Sequence, residues 1–389
     1  MEKLRIQLFY IGTFLIILQK CPPVLETRYE LFRKIIYGLF AFLLAISLPK
    51  IIKTKINKLM TIAYIFCFLQ LILFLIMELF SLYINWEDLV EIAIPISLIL
   101  LGAYFNFSEE ELIKISLFFI VLTLVVSVWQ IYFYQGNFYI QRSYTIPIKN
   151  SMGPFLIISN AILLYYLLFY NRDKYNNLLV TIIYSAFIIV GFYLSLVIRS
   201  RSSILAFLLY FTILLIKKRK NLQLSAILVL IIILISIPGF KFKDYIRKPL
   251  VDSFTLNYNP YDLESISAGR LSVLKDAILV IKEEPLFGLS KMRYGFVKTP
   301  HNYLINKIFR YGLLGALFFI NIYLLFGVFI LKQIIYKKPV MENIGVFLFV
   351  IPFIISFFEY TYPFGPGTAN FMVFLMFSNA VKIKRPKEL

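Results

Sequence analysis

Cysteine, histidine, tryptophan and negative charge are all scarce in this 389-residue chain, which has two Cys, one His, two Trp and 21 acidic residues against 40 Lys and Arg. Two cysteines, Cys21 and Cys67, exclude a disulfide-stapled framework, and neither sits in a metal-binding spacing. A single histidine, His301, excludes a histidine cluster. Charged residues make up only 16% of the chain while 60% is hydrophobic. A soluble domain could not hide so much apolar surface, so lipid is the solvent for most of the chain. Two further absences bear on chemistry. Asp244, Asp252 and Asp262 are too scattered to make a carboxylate pair for a metal, and no serine stands in a nucleophile elbow. Neither a repeat of fixed period nor a low-complexity linker is present.

What remains is a series of apolar runs separated by short charged breaks. Each run needs roughly 17–25 apolar residues to cross a hydrocarbon core of about 30 Å. Backbone groups there must be satisfied internally, so the runs are helices. The run at 222–237 is apolar on every face, which the alternation of a β-barrel strand does not allow. The pattern predicts an all-α polytopic membrane protein with about 12 transmembrane helices. They fall near 5–19, 35–49, 59–84, 89–107, 112–134, 151–170, 178–198, 203–216, 224–240, 303–331, 344–360 and 364–381. The N-terminus has the basic start and apolar stretch of a signal peptide but no small-residue cleavage site, and Lys20 before Cys21 spoils a lipoprotein-type site. It reads as a retained first helix.

The formal charge of +19 would point to nucleic acid on a solvated domain, but here the basic residues cluster between spans, where bilayer topology explains them. Alternate breaks hold Lys50, Lys53, Lys55 and Lys58; Arg172 and Lys174; 217–220; and Lys332, Lys337 and Lys338, with more at the C-terminal tail. The other breaks hold far fewer. Both termini are therefore expected on the cytoplasmic side, with the polar stretch 241–302 as one long outward-facing loop. The whole of 1–389 reads as a single integral membrane domain. Within the loop, Leu271, Leu274, Ile278 and Ile281 recur at helical spacing, with Lys275, Asp276, Lys282 and Glu283 elsewhere on the wheel, and Pro285 and Gly288 end the pattern. This amphipathic helix could lie on the membrane surface, cap the bundle, or place Arg270 over an active cavity.

Short outer connections usually avoid arginine, yet Arg142, Arg199, Arg201, Arg270 and Arg293 all fall on this side. Guanidinium binds phosphate in a fixed two-pronged geometry and stays charged at any relevant pH. Snorkelling or a headgroup contact explains any one of them; several beside a histidine point to an anionic partner. An imidazole can accept a proton near neutral pH, which suits activation of a sugar hydroxyl. Glu78, Glu91 and Glu359 fall near outer span ends, each able to orient an arginine, hold a hydroxyl or form a structural ion pair.

Four pieces of sequence then converge on one family. Ten residues separate Arg142 from Gly153, with Asn150 and Pro154 nearby, though a glycine soon after the arginine is missing. Arg199-Ser200-Arg201-Ser202 opens a span. Gly269-Arg270 precedes the amphipathic helix and Pro285-Leu286-Phe287-Gly288, without an aromatic inside the helix. His301-Asn302-Tyr303-Leu304 is followed by Gly312 and Gly315. In this order and sidedness the chain resembles the O-antigen ligase and Wzy-type polysaccharide polymerase superfamily of bacterial envelope glycosyltransferases. The likeness runs from about Arg142 to Gly315.

The resemblance implies a GT-C-like helical fold in the bacterial inner membrane and inverting glycosyl transfer with neither metal nor other cofactor. The donor would be an oligosaccharide on undecaprenyl diphosphate. Arg142, Arg201 and Arg270 would hold the diphosphate and His301 would activate the acceptor hydroxyl. Asn302, Arg199 and Arg293 are further candidates for substrate binding, although Arg293 matches no family position. A flippase and a chain-length regulator would be partners. Within the superfamily the His-Asn-Tyr-Leu wording favours a polymerase of O-antigen or capsule repeat units over an O-antigen ligase. A flippase or transporter is the reading from another class, but such proteins show matching halves and discontinuous helices near the midplane. Here the spans divide nine and three around the long loop.

Overall fold

The computed structural model describes residues 2–51, 57–80, 82–134, 148–170, 178–198, 200–217, 269–289, 298–365 and 370–381. The α-helices among them are α1 (Glu2–Leu18), α2 (Pro22–Thr27), α3 (Tyr29–Ile51), α4 (Lys58–Leu79), α5 (Trp86–Phe105), α6 (Glu109–Tyr134), α7 (Ile148–Phe169), α8 (Leu178–Ile198), α9 (Arg201–Lys217), α10 (Arg270–Glu283), α11 (Tyr303–Gly315), α12 (Leu317–Tyr336), α13 (Ile344–Leu348), α14 (Val350–Ile355) and α15 (Phe371–Phe377). No strand occurs among the described residues. Seven of these helices are long and apolar enough to cross a membrane, in keeping with a polytopic membrane protein. The predicted span at 224–240 lies outside the described residues.

Polar side chains mark where the apolar helices begin. Asn57 and Asn85 cap α4 and α5 by accepting from the backbone N–H of Leu59 and Glu87. Before α6, Ser108 and Glu111 satisfy each other's backbone N–H at 3.2 and 2.8 Å, a capping box that closes two otherwise unpaired donors.

The helices fall into two compact units. In the first, α7 is the hub and is almost wholly buried. Small residues let its neighbours approach closely, as in membrane bundles generally. A Cβ on Gly153 would meet the Ser200 side chain, and one on Gly191 of α8 would meet Asn160 of α7. Polar links lock the packing: Tyr166 to Ser116 at 2.8 Å, and Tyr165 to the Val340 carbonyl at 2.8 Å.

The second unit contains α4, α5, α10, α11, α12 and α15, with α3 from Tyr37 and α14 from Pro352. Phe74, Tyr311 and Phe319 stack where α4, α11 and α12 meet. Tyr303, Tyr323 and Phe353 continue the aromatic layer.

Three predicted spans here differ in form from the expectation. The run 303–331, expected as one helix, is two, because Gly312 adopts φ +68° and interrupts the first. The turn after α10 fills the interruption. Leu313 and Leu314 donate their N–H groups to the carbonyls of Pro285 and Leu286 at 2.8 and 3.0 Å. Gly288, also at positive φ, lies against the Arg310 carbonyl, and a Cβ on either glycine would collide with the opposite backbone. The run 344–360 becomes a 3₁₀ turn followed by α13 and α14. Of the run 364–381, the helix among the described residues begins at Phe371. The backbone ahead of it turns at Pro363, whose carbonyl accepts from the Asn370 side chain at 2.9 Å.

The predicted apolar stripe of α10 is also rotated. Val273 and Ala277 are its buried residues, and Ala277, Leu289 and Phe309 form a small core against which Val280, Ile281 and Ile305 pack. Ile278 of the predicted stripe is exposed.

Candidate active site

Within the second unit, α10, α11 and the turn after α14 bring three of the named residues together. Arg270 is the first residue of α10, after Gly269. Its two terminal nitrogens donate to the Phe358 carbonyl at 3.1 Å and to Glu359 Oε1 at 3.2 Å. The other Glu359 oxygen, Oε2, is 3.8 Å from His301 Nδ1, longer than a direct hydrogen bond. Glu359 is 11% exposed while Arg270 and His301 are 36% and 40% exposed. One recessed carboxylate therefore carries a guanidinium and an imidazole that both reach solvent. Nδ1 itself is buried and makes no direct hydrogen bond, with the Glu359 carboxylate as the charged group beside it.

His301 is held from both sides. The next residue, Asn302, caps α11 by accepting from the Ile305 N–H at 3.1 Å. Its side-chain oxygen is thus engaged in starting the helix. Tyr303 donates its N–H to the Ser356 carbonyl at 3.0 Å, tying the start of α11 to the chain that leads to Glu359. The Tyr360 ring lies 6.3 Å from the imidazole and 5.6 Å from the Arg310 guanidinium.

Below this mouth lies a buried ionic cluster that the sequence reading missed. Asp88 of α5 accepts from Tyr311 at 2.6 Å and pairs with Lys307 at 2.9 Å and Arg310 at 3.1 Å. All four side chains are buried. Lys307 also lies over the rings of Tyr303 and Phe319. Glu91, one turn along α5 from Asp88, presses against Gly365, where a Cβ would strike its carboxylate. A signal existed: Lys307 and Arg310 stand three apart in one apolar stretch, and Asp88 and Glu91 three apart in another. Ionisable residues within membrane helices are costly and normally paired or functional.

The remaining candidates are not joined to this group by the described structure. Arg201 opens α9 in the first unit and is half-buried. Arg142, Arg199 and Arg293 lie outside the described residues. Among the described residues no three His, Cys, Asp or Glu side chains gather as a metal-holding group.

Residues 186–320 match the family model described as O-Antigen ligase, a stretch that contains Arg199, Arg201, Arg270, His301 and the glycine-broken α11. The match covers roughly a third of the chain and agrees with the resemblance read from the motifs. No curated protein matches the chain.

Proposed function

Taking the O-antigen ligase likeness of residues 186–320 as premise, we propose that the protein is an inner-membrane glycosyltransferase that polymerises undecaprenyl-diphosphate-linked oligosaccharide repeat units into O-antigen or capsular polysaccharide. Its reducing-end donor arrives on the outer side, delivered by a flippase, and a chain-length regulator acts on the product. Both termini face the cytoplasm. The observation that carries the reading is the sharing of Glu359 by Arg270 and His301 at a solvent-reaching rim.

In the reaction, His301 Nε2 accepts the proton of an acceptor sugar hydroxyl as its oxygen attacks the donor's anomeric carbon. The anomeric C–O bond to the diphosphate breaks, and undecaprenyl diphosphate leaves with the electron pair. Inversion follows from attack opposite the leaving group. Arg270 neutralises the charge that grows on the diphosphate, with Arg142 and Arg201 as further holders and Arg199 and Arg293 as peripheral ones. Such stabilisation is worth most where water is excluded and the donors are already in place. Glu359 keeps Arg270 aimed and stabilises the imidazolium formed during transfer. No metal enters these steps.

Purified protein in proteoliposomes with lipid-linked repeat units should yield a ladder of polymer that persists in chelator. His301→Ala should lower the rate by about 10²–10⁴-fold, the usual contribution of a positioned base, and Arg270→Ala should likewise stop chain growth while protein level and membrane insertion stay normal. Normal ladders from both variants overturn the assigned roles. Transfer to lipid A-core without laddering identifies a ligase instead.

A further inference from the structure

Among the described residues, the outer flank of α10 stays exposed although much of it is apolar. At 100° per residue, Lys275, Ile278, Leu279 and Lys282 share one side of the helix, while Asp276 and Glu283 share another. Val273 and Ala277, which face α11, occupy a third. Ile278 is exposed and Leu279 is 57% exposed, and the turn that follows leaves Leu286 and Phe287 nearly half exposed. Lys275 and Lys282 are exposed within the same apolar arc.

This patch does not stand alone. Leu286 touches α11 through the hydrogen bond from Leu314, and Leu313, Leu314 and Leu317 are themselves exposed. From there the apolar surface continues along α12, a membrane-crossing helix whose Leu324, Val328 and Leu331 are exposed. A surface that begins on a spanning helix and ends on lysine-flanked leucines has the composition of an interfacial helix. Lysine stems lie along apolar surface while their ammonium groups reach anionic headgroups.

We infer that α10 lies in the interfacial layer of the bilayer, with Ile278, Leu279, Leu286 and Phe287 among the upper acyl chains and Lys275 and Lys282 on anionic lipid headgroups. Arg270, at the start of α10, is thereby fixed at the height of the phosphate layer. The site would take its lipid-borne anion without lifting it from the membrane.

The test reads position rather than activity, so its result stands apart from the proposed reaction. Spin labels are attached to Leu279→Cys or Asp276→Cys in a Cys67→Ser background, Cys21 being buried. The full chain is placed in nanodiscs of phosphatidylglycerol and phosphatidylethanolamine. The ratio of dioxygen to nickel-chelate accessibility should be several-fold higher at 279 than at 276. Adding Lys275→Glu and Lys282→Glu should lower the ratio at 279, as should replacing phosphatidylglycerol by phosphatidylcholine. Equal ratios at the two sites overturn the inference. Dipolar broadening at 279 in discs holding two copies also overturns it, because the occupant is then a second copy of the chain.

Discussion

Glu359 holds two partners with two different oxygens, and the consequences of removing its charge differ for each. Arg270 keeps the Phe358 carbonyl as a second acceptor, so it loses aim more than place. Arg270 is itself 36% exposed, so the pair is screened on that side, and glutamine keeps an oxygen for the guanidinium to donate to. His301 loses the carboxylate that lies 3.8 Å from its Nδ1. Glu359→Gln should therefore leave the folded protein nearly as stable, with kcat falling more steeply than donor affinity. Steady-state kinetics on lipid-linked repeats checks this; a change confined to KM would remove Glu359 from the chemistry. At this scale the sequence was a good guide where a residue is unusual for its place. His301 as the lone histidine and Arg270 beside a glycine could both be named in advance. Glu359 was visible only as one of several outer carboxylates. Asn302 was named for substrate, and its cap role is the ordinary fate of Asn before a helix.

At the scale of elements, α10 and α11 are joined by backbone rather than by side chains. Gly288 and Gly312 both adopt positive φ and approach closely enough that neither has room for a Cβ. Gly312→Ala meets the Leu286 carbonyl carbon and also forces an L residue into a left-handed conformation, a site where alanine destabilises by more than about 1 kcal/mol. The variant should melt at a lower temperature by tryptophan fluorescence and lose transfer activity with it. Unchanged melting would show that the break is not built on glycine. The long spans were readable because an apolar run of that length has one stable state in lipid. The predicted 178–198 and observed α8 coincide. The broken ones were not, since hydropathy averages over a window and cannot see where two N–H groups leave a helix for a neighbouring turn. For α10 the limit is a related one. Periodicity finds an apolar side but not whether protein or lipid covers it.

For the molecule as a whole, the second unit rests on charges placed where charge is expensive. Removing Asp88 leaves Lys307 and Arg310 buried without their shared anion, and breaking such a buried pair costs about 3–5 kcal/mol. Asp88→Ala should accordingly give the largest loss in thermal midpoint of any single change at the site, measured on protein in detergent. A loss no greater than that of a surface substitution would mean the cluster is solvated in the working protein. The sequence disclosed membrane class and family likeness, and it named Arg270 and His301, which lie beside one carboxylate. For the cluster beneath it offered only the spacing of Lys307 with Arg310 and of Asp88 with Glu91, which names no partner for either pair. Pairing across 222 residues is a property of tertiary contact and not of spacing.

That anchor sits on the same helix whose first turn follows His301, so disturbance at the deep end travels along one rigid rod to the imidazole. A change that opens the cluster without unwinding the spans should therefore silence transfer while the circular dichroism is still that of an intact bundle.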